Sequence, residues 1–163
     1  MEKFVESYLD KTKDLTVLDI GSCSVDHQKQ DTYRNLIAPH WTYVGCDMHE
    51  GNNVDIVFKD PYDWKELEGQ EFDVIISGQA FEHIEYPFET IKQMNKFLKS
   101  GGYSCIIAPF IAVEHQYPVD CWRFLPDGWR ALCKSVGWEV LKTFYTDFEA
   151  GCCADSVVIA RKP

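Results

Sequence analysis

Apolar residues along the chain follow two kinds of pattern. Short continuous runs rich in β-branched residues predict buried strands, and apolar residues spaced three and four apart predict helices with one buried face. The runs predicted as strands are Leu15–Ile20, Thr42–Cys46, Val54–Phe58, Phe72–Ile76, Tyr103–Ala108, Trp138–Tyr145 and Ser156–Ala160. The segments predicted as helices are Glu2–Lys11, a short stretch at Tyr33–Ile37, Pro87–Ser100 and Pro126–Val136.

The order of these elements predicts an α/β fold. Strands that alternate with helices form parallel sheets, so we expect a doubly wound, mostly parallel Rossmann-like sheet of about seven strands. The last two predicted strands have no helix between them, which predicts an antiparallel strand near the C-terminus. Few residues connect the second and third predicted strands, around Gly51–Asn53. We therefore expect the helix of that connection to be missing or reduced to a loop.

Proline and glycine residues mark where individual elements begin and end. The helix Pro87–Ser100 opens on a proline and is predicted to stop at Gly101 and Gly102. The segment Pro61–Glu68 is predicted as a single helical or 3₁₀ turn. Trp129 lies on the apolar side of the last predicted helix and is predicted to belong to the core.

Composition limits the classes of protein that fit. The chain has 163 residues, and we expect a single domain spanning residues 1–163. A net charge of -10, from 16 basic and 26 acidic residues, argues against nucleic acid as the partner. No run is long and apolar enough for a signal peptide or a membrane span, so we expect a cytoplasmic protein with no membrane partner.

The cysteines predict free thiols rather than a disulfide framework or a metal site. There are seven of them, with no C-x-x-C spacing, and an odd number suits a reducing compartment. Histidines and cysteines do not approach one another at ligand spacing along the chain, so no metal is predicted. The adjacent Cys152 and Cys153 are either a redox pair or, more simply, two small residues near a strand.

Candidate chemistry lies where the predicted strands end. Gly21, Asp47, Asp60 and Gly78 follow the first four strands, and the carboxyl ends of parallel strands line one ligand-binding crevice. Glycine in such a turn lets backbone N–H groups approach a bound nucleoside, although many buried strands end in glycine for packing alone. A carboxylate at the position of Asp47 can accept hydrogen bonds from both ribose hydroxyls. The alternative for Asp47 is a solvated loop carboxylate.

Four stretches in this order resemble the successive motifs of class I S-adenosylmethionine-dependent methyltransferases, in the methyltransferase type 11 branch. They are VLDIGS (Val17–Ser22), YVGCDM (Tyr43–Met48), FDVIISGQAFEHI (Phe72–Ile84) and FLKSGGY (Phe97–Tyr103). The match covers roughly residues 15–110. The later stretch HQYPVDCWRFLPDG (His115–Gly128) also resembles a block of small bacterial members of that branch.

The resemblance implies S-adenosylmethionine as the cofactor and a set of residues that hold it. Asp19 and Gly21 would lie by the methionine moiety, Asp47 would hold the ribose, and Asp60 would face the adenine amino group. The full set implied as cofactor-binding is Asp19, Gly21, Ser22, Asp47, Met48, Asp60, Pro61, Ser77 and Gln79, with Ser77 and Gln79 beside the methionine end. The family pattern Asp-x-Gly-x-Gly-x-Gly is broken, because Cys23 and Val25 stand at its second and third glycines. That departure predicts an altered loop path and leaves weak cofactor binding or an inactive enzyme open.

Methyl transfer to an oxygen or nitrogen needs positioning and, in some cases, removal of a proton. His83 and His115 are the candidate catalytic residues, because both follow strands whose ends face the crevice. The alternative for His83 is a ring hydrogen-bonded to backbone at a helix start. Residues 110–124 are predicted to form the acceptor pocket, with Tyr117, Asp120, Trp122 and Arg123 as the substrate-binding residues. The alternative there is a capping loop in which Arg123 pairs with Asp120 or Glu82 and Trp122 packs.

The function predicted from these patterns is methyl transfer from S-adenosylmethionine to an O or N atom of a small-molecule or sugar-containing acceptor, by a monomer or homodimer. One alternative is a non-catalytic S-adenosylmethionine-binding regulatory module, suggested by the missing loop glycines. A nicotinamide-dependent oxidoreductase is a weaker alternative, because the loop GSCSV lacks the G-x-G-x-x-G pattern.

Overall fold

A computed structural model describes residues 1–24, 32–146 and 153–163. In these residues seven strands form one sheet, in the order β3-β2-β1-β4-β5-β7-β6. The strands are β1 (Thr16–Ile20), β2 (Thr42–Asp47), β3 (Ile56–Val57), β4 (Phe72–Gly78), β5 (Leu98–Ile111), β6 (Glu139–Tyr145) and β7 (Ala154–Arg161). The pairs from β3 to β5 are parallel, and β7 runs antiparallel to both β5 and β6. The predicted fold class, including the antiparallel C-terminal strands, is confirmed.

Helices cover both faces of the sheet. The helices of the described residues are α1 (Glu2–Tyr8), α2 (Pro87–Phe97) and α3 (Pro126–Ser135), with 3₁₀ helices at Tyr33–Leu36, Lys65–Leu67 and Phe81–His83. Successive strand residues point to opposite faces, so Leu18 packs in the cluster of α2 and α3 while Val17 packs in the cluster of α1. Trp129 is fully buried, as predicted, and its Nε1–H donates to Ser156 Oγ (2.9 Å).

Helix α2 ends earlier than the sequence pattern predicts. It stops at Phe97, and Leu98 takes an extended conformation and pairs with Phe72 in the sheet. The prediction that the helix runs to Ser100 and is stopped by Gly101 and Gly102 is therefore wrong, because both glycines lie within β5. Leu98 fits the apolar spacing of the helix equally well, but its side chain is fully buried as part of the strand.

The remaining boundaries differ by a few residues. The third strand is reduced to two residues, and a turn replaces the helix between β2 and β3, as expected. Strand order reverses at β1, which lies between β2 and β4. Open α/β sheets usually bind their ligand in a crevice outside the carboxyl ends of the strands at such a reversal, which here is beside β1 and β4. In the residues covered by the structure, no helix has the length and apolar character needed to cross a membrane.

Candidate active site

The turn after β1 requires glycine at its first position. Gly21 has φ +73°, and its N–H donates to the Cys46 carbonyl (2.9 Å) at the end of β2. A Cβ at this position would lie 2.3 Å from the Cβ of Ala80, in the segment that follows β4. The turn is thus pressed between the ends of two neighbouring strands, which fixes one wall of the crevice.

Asp47, at the end of β2, ties this turn to the second strand. Its Oδ2 accepts a hydrogen bond from the Cys23 N–H (3.1 Å), and its Oδ1 accepts one from the His49 N–H (3.2 Å). The side chain remains 18% exposed. Asp47 is therefore more than a solvated loop carboxylate, since it holds the start of the loop and is mostly buried.

Cys23, which stands at a glycine of the family pattern, packs against the turn between β2 and β3. A Cβ on Gly51 would lie 2.3 Å from Cys23 Sγ, so the thiol packs where a side chain at position 51 would be. The glycine missing at Cys23 is in this way matched by a glycine in the neighbouring turn. Val25, the second departure from the family pattern, lies outside the described residues, as does Cys152 of the adjacent cysteine pair.

The turn between β2 and β3 packs directly onto the β1 loop where the sheet lacks a helix. Ser22 Oγ donates to the Asn53 carbonyl (3.0 Å), and Asn53 Nδ2 donates in return to the Ser22 carbonyl (3.0 Å). Asn53 has φ +72°, and a Cβ on Gly45 would meet its carbonyl at 2.2 Å. Ser22, predicted to bind the cofactor, is buried and shapes the loop through its side chain.

Asp19 is a buried acid directly beneath the turn. The Tyr43 hydroxyl donates to its Oδ2, while its Oδ1 has no hydrogen-bond partner among the described residues. Burial raises the pKa of Asp19 to about 7, although the Tyr43 hydrogen bond and the positive charge of Arg34 oppose that shift. Arg34 stacks 4.2 Å from the centroid of the Tyr43 ring and pairs with Asp55.

The raised pKa of Asp19 predicts a specific dependence of stability on pH. Between about pH 4 and 7 the folded protein holds a proton on Asp19 that the unfolded chain has released, so rising pH removes stability. We expect Asp19→Asn to abolish this component, which is roughly 4 kcal/mol at most for a shift of about three pH units. Urea unfolding of both proteins at a series of pH values measures it, with Asp14→Asn, at an exposed carboxylate, as the control. Parallel curves for Asp19→Asn and the wild type would contradict the assignment.

The end of β4 supplies the opposite wall. Ser77 is fully buried, and its hydroxyl donates to the Ile20 carbonyl (2.8 Å), which locks β4 to β1. Gln79 has φ +59°, its N–H donates to the Ile107 carbonyl (2.9 Å), and its side chain is exposed. Tyr33 lies against Gly78, where an added Cβ would meet its hydroxyl at 2.1 Å. The sequence pattern predicts Tyr33 only as part of a short helix and contains no signal that places it beside Gly78.

Met48, Asp60 and Pro61 lie at the same edge of the sheet, after β2 and β3, and all three are exposed. Asp60 Oδ1 accepts a hydrogen bond from the Tyr62 N–H (2.7 Å). These positions suit the adenine side of the crevice, and their assignment to the cofactor remains a prediction.

The two predicted catalytic histidines meet beside β4, although they are distant in sequence. Their ring centroids are 5.0 Å apart and the rings are nearly perpendicular. His83 Nδ1 donates to the Val119 carbonyl (2.6 Å), and His115 Nδ1 donates to the Val113 carbonyl (2.9 Å). The hydrogen bond from His83 to the backbone agrees with the alternative of a ring bonded to backbone at a helix start. That bond uses Nδ1 and does not involve Nε2.

Glu82 completes this group and was missed as a site residue. Its side chain is 0% exposed, and neither carboxylate oxygen has a hydrogen-bond partner among the described residues. Its Oε1 lies 3.7 Å from His83 Nε2 and 4.0 Å from His115 Nε2. Burial raises the pKa of Glu82. One signal in the sequence points to Glu82. It lies between Phe81 and His83, in a short segment where the pattern does not predict a solvent-exposed face.

The segment that follows β5 is fastened over this group. The backbone N–H groups of Cys121 and Trp122 donate to the Glu82 carbonyl, and Trp122 Nε1–H donates to the Ile84 carbonyl (2.9 Å). Arg123 forms a bidentate pair with Asp120, whose Oδ2 also accepts from the His115 N–H (2.8 Å). The Arg123 side chain holds the pKa of Asp120 well below its usual range. Asp120 and Arg123 thus build the loop, as in the alternative interpretation, whereas Tyr117 is exposed beside His83.

Comparison with known protein families identifies the architecture around this crevice. A family model described as a methyltransferase domain matches residues 2–143. The chain belongs to this methyltransferase domain family. The resemblance to class I S-adenosylmethionine-dependent methyltransferases is thereby confirmed. Among curated proteins, none matches this chain.

Solved methyltransferase structures share the fold at low sequence identity. A Burkholderia thailandensis 1,6-didemethyltoxoflavin-N1-methyltransferase, with bound 1,6-didemethyltoxoflavin and S-adenosylhomocysteine, has a TM-score of 0.72 at 14% identity, over 99% of this chain and 76% of its own. An S-adenosylmethionine-dependent methyltransferase from Methanosarcina mazei has a TM-score of 0.70 at 14% identity, over 98% and 96%. The [4+2]-cyclase SpnF has a TM-score of 0.62 at 14% identity, over 92% and 76%. The methyltransferase fold is therefore shared with a protein named for another reaction.

Proposed function

We propose that this methyltransferase domain transfers a methyl group from S-adenosylmethionine to an O or N atom of a small-molecule or sugar-containing acceptor. The observation that carries the proposal is the arrangement of polar side chains and a glycine turn at the carboxyl ends of β1, β2 and β4. Asp47 lies on one side of it, and His83 and His115 lie together beyond β4. A carboxylate suited to a ribose and a pair of imidazoles suited to an acceptor thus flank one site.

The chain's residues fit the cofactor in charge and in hydrogen-bonding capacity. S-adenosylmethionine carries a ribose diol and a cationic methionine portion. Asp47 offers acceptor oxygens to the hydroxyls, and the buried Asp19 offers an Oδ1 that lacks a partner among the described residues. Gly21 keeps the turn after β1 free of a side chain. When bound, the cofactor supplies a methyl group already activated by its sulfonium, so the protein mainly has to position the acceptor.

His83 and His115 are the groups we propose to activate the acceptor. A carbonyl oxygen can only accept, so each Nδ1 carries the proton in its bond to Val119 or Val113. The Nε2 atom of each neutral ring therefore keeps its lone pair and can take a proton from an acceptor hydroxyl or amine. The 3₁₀ helix Phe81–His83 and the segment after β5 hold both rings in place.

A small acceptor is favoured by the surroundings of the two imidazoles. Tyr117 and Trp122 are exposed aromatic residues beside them, and aromatic faces bind rings and sugars. Asp120 and Arg123 form an ion pair that supports the loop, and they would contact substrate only through atoms that this ion pair does not use. The neighbour from Burkholderia thailandensis has 1,6-didemethyltoxoflavin bound, which supports a small-molecule acceptor. We place the protein in the cytoplasm, as a monomer or homodimer with no nucleic-acid or membrane partner.

Isothermal titration with S-adenosylmethionine and S-adenosylhomocysteine tests the cofactor part of the proposal. We expect saturable heat with both ligands from the folded protein. Incubation with labelled S-adenosylmethionine and a panel of phenols, amines and sugar derivatives, followed by mass spectrometry, then tests transfer. No heat with either ligand, from protein whose fold is verified by circular dichroism, would argue against the proposed function as a whole.

A non-catalytic S-adenosylmethionine-binding module is the second candidate. Cys23 at a family glycine position favours it, since an altered loop can bind cofactor without positioning it for transfer. Cofactor binding without any methylated product across the acceptor panel would favour this candidate. A nicotinamide-dependent oxidoreductase gains no support from the family, and fold alone does not decide the chemistry.

A further inference from the structure

Three metal-ligating atoms converge beside β4 in a group that we call the Glu82 cluster, composed of Glu82, His83 and His115. One ligand atom from each residue lies within 4.8 Å of the other two. The two histidines are far apart along the chain, so the sequence pattern predicts no metal site. The fold brings them together because the segment after β5 returns over the 3₁₀ helix Phe81–His83.

The Glu82 carboxylate lacks the partners that a buried carboxylate ordinarily has. The side chain is 0% exposed, and both oxygens are without a hydrogen bond among the described residues. The imidazole Nε2 atoms at 3.7 and 4.0 Å are too distant to donate to it. A buried, unpaired carboxylate is costly, and a cation held between the three side chains would offset that cost.

Both imidazoles are oriented as metal ligands are. Each donates Nδ1–H to a backbone carbonyl, that of Val119 for His83 and that of Val113 for His115. This second contact fixes the tautomer, turns the Nε2 lone pair towards Glu82 and is the usual support of a ligating histidine. His115 Nδ1 also lies 3.7 Å from Asp120 Oδ2, so a carboxylate stands beside the ring on the side away from Glu82.

We propose that the Glu82 cluster binds a divalent transition-metal ion, with Zn²⁺ as the first candidate, through Glu82 Oε1, His83 Nε2 and His115 Nε2. Two imidazoles and one carboxylate form a donor set of catalytic zinc sites, and nitrogen donors disfavour Mg²⁺ and Ca²⁺. Bonds of about 2.0–2.2 Å put neighbouring ligands of a tetrahedral site about 3.3 Å apart. The separations of 3.7 and 4.0 Å from Glu82 Oε1 exceed that value by less than 1 Å, and all three ligand atoms lie within 4.8 Å of one another, so binding needs the side chains to draw together.

If the proposed function holds, the bound ion would activate the methyl acceptor. Three protein ligands leave one tetrahedral position open, as in catalytic zinc sites. His115 is partly exposed and Tyr117 lies beside His83, so the open position is accessible from the acceptor side. An acceptor hydroxyl bound there would release its proton to solvent more readily, because a bound cation would stabilise the deprotonated oxygen. In the metal-bound protein the ion thus takes over the activation otherwise assigned to a free Nε2.

Zinc binding to the full-length protein tests the proposal without any methyl acceptor. Metal-free protein is titrated with Zn²⁺ against a chromophoric chelator, and Co²⁺ is then added as a spectroscopic substitute. We expect one equivalent of Zn²⁺, with binding weakened at least about tenfold in Glu82→Gln and in His115→Ala. The Co²⁺ spectrum should show a site without thiolate-to-metal charge transfer, which excludes binding by cysteine thiolates.

Two controls separate this proposal from the others. His40→Ala removes an exposed imidazole that lies against the Lys13 carbonyl, away from the cluster, and should leave Zn²⁺ binding unchanged. His115→Ala, at a partly exposed side chain, should fold and should keep its affinity for S-adenosylhomocysteine. Absence of stoichiometric Zn²⁺ binding, or binding that His115→Ala leaves intact, would overturn the metal site. If the wild-type protein binds Zn²⁺ but not S-adenosylhomocysteine, the proposed function is contradicted and the metal site is not.

Discussion

Replacing Asp47 with alanine is expected to weaken S-adenosylhomocysteine binding by at least about tenfold while leaving the protein folded. Hydrogen bonds to a charged group contribute about 1.5–3 kcal/mol each, and a ribose offers two hydroxyls. The substitution also removes the bond from the Cys23 N–H that ties the β1 loop to β2. Both losses act in the same direction on affinity, and isothermal titration of the two proteins measures their sum.

The ribose contribution can be separated from the loop contribution with a 2′-deoxyribose analogue of S-adenosylhomocysteine. In the wild type, loss of the 2′-hydroxyl should weaken binding, whereas in Asp47→Ala it should cost little more. This double-mutant cycle isolates the carboxylate–hydroxyl pair. Asp127→Ala, at an almost fully exposed carboxylate on α3, is the control and should bind as the wild type does. Equal losses from the analogue in both proteins would show that the ribose does not lie on Asp47.

The fold is predictable from the sequence because its signals are local. Buried strands show up as apolar runs, and helices α2 and α3 show up as one-sided apolar spacing that begins at a proline. The end of α2 is not predictable in this way, because Leu98 satisfies both a helix and a strand. Pairing of Leu98 with Phe72, which is distant in sequence, decides between them.

The candidate site is predictable only in part, for the same physical reason. Gly21 and Asp47 are found because each follows a strand whose end must line the crevice. Their hydrogen bonds, by contrast, depend on how the loops pack, so the tie from Cys23 to Asp47 is visible only in the structure. His83 and His115 are both predicted from the strands that they follow. Glu82 is next to His83 in the sequence, but its approach to His115 depends on how the segment after β5 folds back, so the group of three is visible only in the structure.

Replacing Gly21 with alanine is expected to destabilise the protein by about 2–5 kcal/mol and to weaken cofactor binding. A non-glycine residue in the left-handed region costs about 1–2 kcal/mol, and forcing a methyl group into a packed site costs about 1–3 kcal/mol more. Both apply here, since φ is +73° and the new Cβ would lie 2.3 Å from the Ala80 Cβ. For a domain of this size the melting temperature should fall by about 2–4 °C for each kcal/mol.

Gly69→Ala is the matched control for backbone conformation. Gly69 has φ +80°, but a Cβ there meets nothing within 4 Å, so this variant should lose only about 1–2 kcal/mol. The double variant Gly21→Ala, Ala80→Gly removes the clashing methyl group. It should recover the part of the unfolding free energy by which Gly21→Ala is less stable than Gly69→Ala. Its affinity for S-adenosylhomocysteine should recover in parallel, because the turn regains its place between β1 and β4. Equal destabilisation by Gly21→Ala and Gly69→Ala would mean that the approach of the two segments does not constrain the turn, and the crevice wall would then owe its shape to the Asp47 tie alone.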